Sequence, residues 1–176
     1  MAKVEFQDFS FQVKAAINKA TQNWLVETAS EIESQAIMNC SREGWTSAEY
    51  QQLRGGYKSE VYPEKGVALV GHRHEMAYWE EFGTGSYADT SKNGGKEGRA
   101  GWWIYTPGSD GQGGESNVYP TREAAEDMAA YIRATYNKEA IVTNGRRPNY
   151  TLEKAFKTVR PEAEADLEKR LKRELE

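Results

Sequence analysis

From Ser10 onward, apolar residues recur at three- and four-residue steps: Val13, Ile17, Ala20, Trp24, Leu25, Ala29, Ile32, Ala36 and Ile37. The spacing places them on one stripe of a helix over 10–39, with Lys14, Lys19, Glu27, Glu31 and Glu33 off it. At ~1.5 Å per residue this helix has about eight turns. Its stripe needs a sheet or a neighbouring chain to cover it. Asp8 or Ser10 supplies the N-cap, since a short side-chain oxygen accepts from the free amides of a first turn. Before it, KVEF (3–6) reads as a short first strand.

The pattern then changes period. Residues 41–56 are polar, contain Gly44, Gly55 and Gly56, and read as a connection. YKSEVY (57–62), PEKG (63–66) and VALVG (67–71) read as two strands around a turn, with Pro63 presetting φ and Gly66 permitting a positive one. MAYWEEF (76–82) fits a third strand or a short helix, and periodicity leaves both open. Ten glycines fall in 83–120, interrupted by WWIY (102–105), which predicts a long loop or arm with a short strand inside it. Thr121 caps a second helix over 121–136, with Ala125, Met128, Ala129 and Ile132 as its apolar edge. Thr151 caps a third, carrying Leu152, Ala155, Phe156 and Val159. Pro161 lacks an amide and clashes with the preceding turn, so it is expected to start a fresh turn or bend that helix. Beyond it, Leu167, Leu171 and Leu175 lie among seven basic and seven acidic residues of 151–176, a solvated amphipathic face.

The elements so far are three helices, a strand pair and a long glycine- and aromatic-rich loop or arm. At 176 residues the chain is expected to form a single domain, 1–176, with an inserted loop or arm and helix at about 84–145. A net charge of −4 does not resemble a basic nucleic-acid-binding domain. The one cysteine, Cys40, excludes an intramolecular disulfide and reads as a half-buried small hydrophobe. The N-terminal MAKVEFQDFSFQV lacks a signal-length apolar core, and no run approaches ~20 apolar residues, so a soluble chain made in the cytoplasm, with no membrane partner, is expected.

Candidate chemistry is sparse. On a strand, His72 and His74 of GHRHE would point the same way and reach one metal with Glu75, Glu80 or Glu81; the competing reading is a surface strand end. Glu80 and Glu81, as strand neighbours, would face opposite sides and so serve poorly as a catalytic pair; either can buttress the turn that follows. No serine sits in GxSxG, and FGTG and GQGG fit neither a P-loop nor a dinucleotide fingerprint. No catalytic, metal-binding or cofactor-binding residue is therefore assigned. The aromatics Tyr87, Trp102, Trp103, Tyr105 and Tyr119 cluster in or beside the glycine-rich span. They either pack back as an edge strand or order against a neighbouring subunit.

Three stretches occur in a telling order: QQLRGGYKSEV (51–61), VALVG with MAYWEEFGTG (67–85), and RRPNYTLEKAF (146–156) leading into a charged helix. Together they resemble the small head–tail joining, or tail-completion, proteins of long-tailed bacteriophages and prophages. Leu53 and Arg54 match that family's "LR" position and Gly71 its "VG" strand end. Ala77, Tyr78, Glu81, Phe82, Gly83 and Thr84 match its "YA..vE.GT" segment. Arg147, Pro148, Leu152 and Ala155 match parts of "PflrPAl", with Tyr150 and Thr151 where "LrP" usually falls. The likeness covers about 1–85 and 140–176. GWTSAEYQQ lacks the usual "AP..TG", and 86–145 is longer than the family pattern.

The resemblance implies an α+β fold, with a long N-terminal helix and a C-terminal helix packed on a small antiparallel sheet and a long glycine- and aromatic-rich loop or arm. It also implies a non-enzymatic virion protein, located in the tail or neck and made in the bacterial host. It would form a ring of subunits, often six, and meet tail-tube and head-connector proteins. Genomic DNA would pass through without sequence-specific binding. Subunit-interface or hinge candidates are then Arg54, Trp79, Phe82, Gly83, Thr84, Gly85, Trp102, Trp103, Tyr105, Arg146 and Arg147. YWEEFGTG becomes the hinge of an oligomerisation arm, with Phe82 plugging the end of the sheet and Tyr78 and Trp79 on opposite sides. Arg54, Arg146 and Arg147 either pair with a neighbouring subunit's carboxylates or are ordinary surface arginines. Two alternatives are a monomeric binding module presenting WWIY and a metal-dependent enzyme using His72 and His74.

Overall fold

The long stripe folds as its spacing predicts: α1 spans Ser10–Asn39. The computed structural model describes residues 10–92, 100–106 and 117–175, so the expected KVEF strand, the Asp8 cap and both glycine pairs of the arm (94–95 and 113–114) lie outside the described residues. Ser10 lies within the helix and is not its cap. The fold is α+β, and its contacts divide into two compact units.

Of the described residues, the first unit joins 10–39, 57–72 and 152–175. Its hairpin pairs β1 (Tyr57–Tyr62) with β2 (Val67–His72), antiparallel and residue for residue from Tyr57↔His72 to Tyr62↔Val67. Gly66 closes the connection at φ 63°. The helix α1 lies against both strands. Its Ala29 and Ala36, two turns apart, are fully buried, because small side chains let neighbouring backbone come close. On β1, Tyr57 is fully buried as well. The last helix, α5 (Thr151–Leu175), buries Ala155, Val159 and Ala163 at four-residue steps. The indole Nε1 of Trp24 donates to the Ala163 carbonyl at 2.7 Å, joining α1 to α5.

Pro161 starts no fresh turn: α5 runs through it as one helix, with one ladder bond unmade for want of an amide. Phe156 is half exposed, with the Arg160 guanidinium 5.9 Å from its ring; the buried stripe runs Ala155–Val159–Ala163 instead.

The second unit joins the described residues of 40–56 and 73–151. The span 41–56, expected as a connection, contains α2 (Ser47–Gly55). Thr46 caps it: its hydroxyl accepts from the Glu49 amide while the Glu49 carboxylate accepts from the Thr46 amide. TSAE is the capping-box spacing, a sequence signal overlooked beside the glycines. MAYWEEF resolves as a helix, α3 (Glu75–Phe82), capped by His74, whose Nδ1 accepts from the Met76 amide. WWIY contributes β3 (Trp103–Tyr105), paired antiparallel with β4 (Ile141–Thr143), while Trp102 bridges to Tyr119. Against that sheet lies α4 (Arg122–Tyr136), with Ala125 and Ala129 fully buried. Its cap is Thr121, as expected, and Asn137 ends it at φ 50°.

Glu49 does more than close the box. Its second oxygen, Oε1, accepts from the Tyr105 hydroxyl, tying α2 to β3. Burial raises the Glu49 pKa, but the hydrogen bonds from Tyr105 and Thr46 outweigh it and leave the carboxyl below its ordinary value of 4.5. Burial, followed by the bond to Glu49, raises the Tyr105 pKa. The proton thus stays on the tyrosine. Because folding lowers the Glu49 pKa, ionised Glu49 stabilises the fold above the unfolded value, and that contribution is lost as pH falls through the folded one. The stability difference between wild type and Glu49→Gln should therefore shrink between about pH 6 and about pH 3. Urea unfolding across that range measures it; a pH-independent difference would refute the ionic role.

Candidate functional site

The second unit is organised around Glu80, which is fully buried near the end of α3. Oε1 accepts from the Ser41 amide at 2.9 Å, from Asn149 Nδ2 at 2.8 Å and from the Thr151 hydroxyl at 3.4 Å. Oε2 accepts from Trp45 Nε1 at 3.2 Å and from Arg146 Nη2. A buried carboxylate is costly unless paired and hydrogen-bonded, and here both oxygens are occupied. Arg146 also donates through Nη1 to the Glu43 carbonyl, and its guanidinium lies 4.4 Å from the centre of the Trp45 ring. Burial draws the Arg146 pKa down, and Glu80 opposes the shift. Trp45 in turn stacks on Trp79 at 6.4 Å and 14°.

The main chain makes the same connection. A helix ends with four carbonyls that lack helical partners. In α3 each finds one: Trp79 accepts from Gly83, Glu80 from Asn149, Glu81 from Tyr150, and Phe82 from Asp89. Thr84 continues the seam, with its amide on the Arg146 carbonyl at 2.9 Å and its hydroxyl accepting from the Arg146 amide at 3.0 Å. The Ser86 amide donates to the Asn144 carbonyl at 2.9 Å.

This packing requires glycine. Gly83 sits at φ 73°, ψ −178°, a region essentially reserved for glycine, and a Cβ there would lie 2.6 Å from the Arg146 carbonyl oxygen. At Gly85 (φ 59°) a Cβ would meet the Asn144 oxygen at 2.3 Å and the Trp103 ring at 2.4 Å. Thus FGTG is the surface on which NGRRPNY is seated.

The expected site residues are placed as follows. Arg146 turns inward onto Glu80 of its own chain, which neither earlier reading anticipated. Arg147 is exposed, 5.2 Å over the Tyr87 ring. Arg54, half buried on α2, lies 5.6 Å over Tyr50. Phe82 ends a helix and not a sheet, and its ring meets Tyr78 at 5.1 Å. Tyr78 and Trp79 do not face opposite sides, because helical neighbours are about 100° apart. Trp102, Trp103 and Tyr105 are half buried; Arg122 covers Trp102 at 5.7 Å.

His72 ends β2 with its ring edge-on to Tyr57 at 4.9 Å, while His74 caps α3, so the alternation that would aim both at one metal does not continue. No group of three potential metal ligands occurs among the described residues. No helix among them is long and apolar enough to cross a membrane. Sequence reading missed Ser41, Trp45 and Asn149 as partners of Glu80, and Glu49 as partner of Tyr105. No family model, curated protein or solved structure matches the chain.

Two substitutions test this joint. Glu80→Gln leaves Arg146 without its counter-charge and should cost about 3–5 kcal/mol, the usual range for a broken buried pair. A loss below about 1 kcal/mol in urea unfolding would count against it. Gly83→Ala adds a clash to backbone strain and should cost more than Gly66→Ala, where φ is 63° but nothing lies within 4 Å of the added Cβ. Equal losses would remove the close-approach argument.

Proposed function

We propose that this chain is a structural assembly protein of a tailed bacteriophage. It acts as a tail-completion or head–tail joining component that self-associates as a ring and works through its surfaces. The observation that carries this reading is the joint around Glu80. The two stretches that bear the family resemblance there, MAYWEEFGTG and RRPNYT, are the ones that meet in it, through Glu80, Gly83, Thr84, Arg146, Asn149 and Thr151. The carboxylate and the arginine are spent on holding chain segments together, as a scaffold requires.

Surface composition supports the same role. Tyr131 and Tyr136 form an edge-on pair at 6.3 Å while 55% and 59% exposed, and Met128 and Ile141 in the same unit are also exposed. Aromatic groups dominate interface energetics once buried. The expected partners are further copies of the chain, tail-tube and head-connector proteins, with the virion tail or neck as location. A net charge of −4 suits DNA passing without being held.

Light scattering on the purified protein should give a mass several times 19.9 kDa. Tyr131→Glu with Tyr136→Glu should weaken association at least tenfold, about 1.4 kcal/mol. A monomer at every concentration, with or without tail-tube protein, would overturn the proposal.

A further inference from the structure

The hairpin of the first unit has two edges, and they are not alike. On β1, the Ser59 amide and hydroxyl both donate to Glu33 Oε2 at 2.7 Å, so this amide does not serve the β1–β2 ladder. Antiparallel ladders alternate, so in the register Ser59↔Val70 and Val61↔Ala68 the main-chain groups point away from the partner strand. Glu33 therefore closes the β1 edge at its centre, and Lys58 stands 3.7 Å from the same carboxylate.

Among the described residues the β2 edge has no such closure: no loop or side-chain hydrogen bond reaches the outward main chain of Ala68 or Val70, and no other strand pairs with β2. Edge strands are ordinarily protected by a charge, a proline or a bulge. VALVG has none of these, and its register is regular. On the outer face, Val67 and Leu69 are 41% and 55% exposed. A strand apolar on both faces reads as an interior strand of a larger sheet.

We propose that the β2 edge pairs with β2 of a second copy, joining two hairpins into one four-stranded antiparallel sheet about a twofold axis at Leu69. The run is self-complementary in that register. The outward groups of Ala68 meet those of Val70 from the other copy, giving paired backbone hydrogen bonds on both sides of the axis. Leu69 faces its own equivalent in a close, non-hydrogen-bonded pair. Val67 falls opposite Gly71, where a Cβ would find nothing within 4 Å, so there is room for the branched side chain. The charged residues Lys58 and Glu60 lie on the far strand, away from the new seam. A twofold contact closes after two copies, so it goes beyond the ring reading and stands on the hairpin alone.

Cross-linking tests both the contact and its register. Leu69→Cys should form an intermolecular disulfide under mild oxidation, since directly opposed residues of this kind have Cα atoms about 4.5 Å apart. Val67→Cys and Gly71→Cys should each remain uncross-linked alone and cross-link when mixed. Wild type, with only buried Cys40, is the control. Leu69→Lys opposes two like charges across the axis and should lower the mass seen by light scattering while leaving the circular dichroism spectrum of the folded chain unchanged, because the side chain is exposed. Absence of the Leu69→Cys disulfide, or a Leu69→Lys protein of unchanged mass, would overturn the contact while leaving self-association through other surfaces standing.

Discussion

A fully buried carboxylate must be surrounded by donors and a counter-charge, and the second unit is arranged so that Glu80 has both. Its oxygens draw in the chain before α2 through Ser41 and Trp45, and the chain before α5 through Arg146, Asn149 and Thr151. Apart from Thr151, the first residue of α5, none of these residues lies in a helix or strand. Their conformation is set by the need to deliver donors to one place. Removing one partner would leave a buried charge uncompensated, so the segments separate only at that cost.

The end of α3 adds a second requirement at the same spot. Its last carbonyls need donors, and the amides of Gly83, Asp89, Asn149 and Tyr150 supply them. For these amides to reach, the backbones of 83–85 and 144–148 must approach within the space a side chain would take, which is why glycine occupies 83, 85 and 145. Side-chain electrostatics and main-chain accounting thus act on the same two segments. Glu49 works on a smaller scale in the same manner, closing its own helix with one oxygen and holding β3 through Tyr105 with the other.

Both units leave apolar groups in solvent that association would cover, but by different means. In the second unit they are exposed aromatic side chains of α4. In the first they accompany a strand edge whose main-chain groups have no partner strand among the described residues. An assembly protein would have use for both, one through side-chain contact and the other through backbone pairing.

Local signals determined much of the architecture. The helical period over 10–39, the Pro63–Gly66 turn between two strands and the Thr121 cap each rest on interactions within a few residues and are visible in the order of residues, while WWIY was visible as an apolar island although its partner strand is distant in sequence. TSAE was equally local and was overlooked beside the glycines of 41–56. MAYWEEF stayed ambiguous because seven residues fit either period, and the His74 cap decided it. The role of Glu80 was beyond any such reading. Its partner Arg146 is 66 residues away, and no spacing rule relates the two. The chain determined its helices and hairpins through periodicity and capping, which act over one or two turns; only the tertiary structure decided what Glu80, Gly83 and Arg146 do, because burial brings charges and backbones together without regard to their separation in sequence.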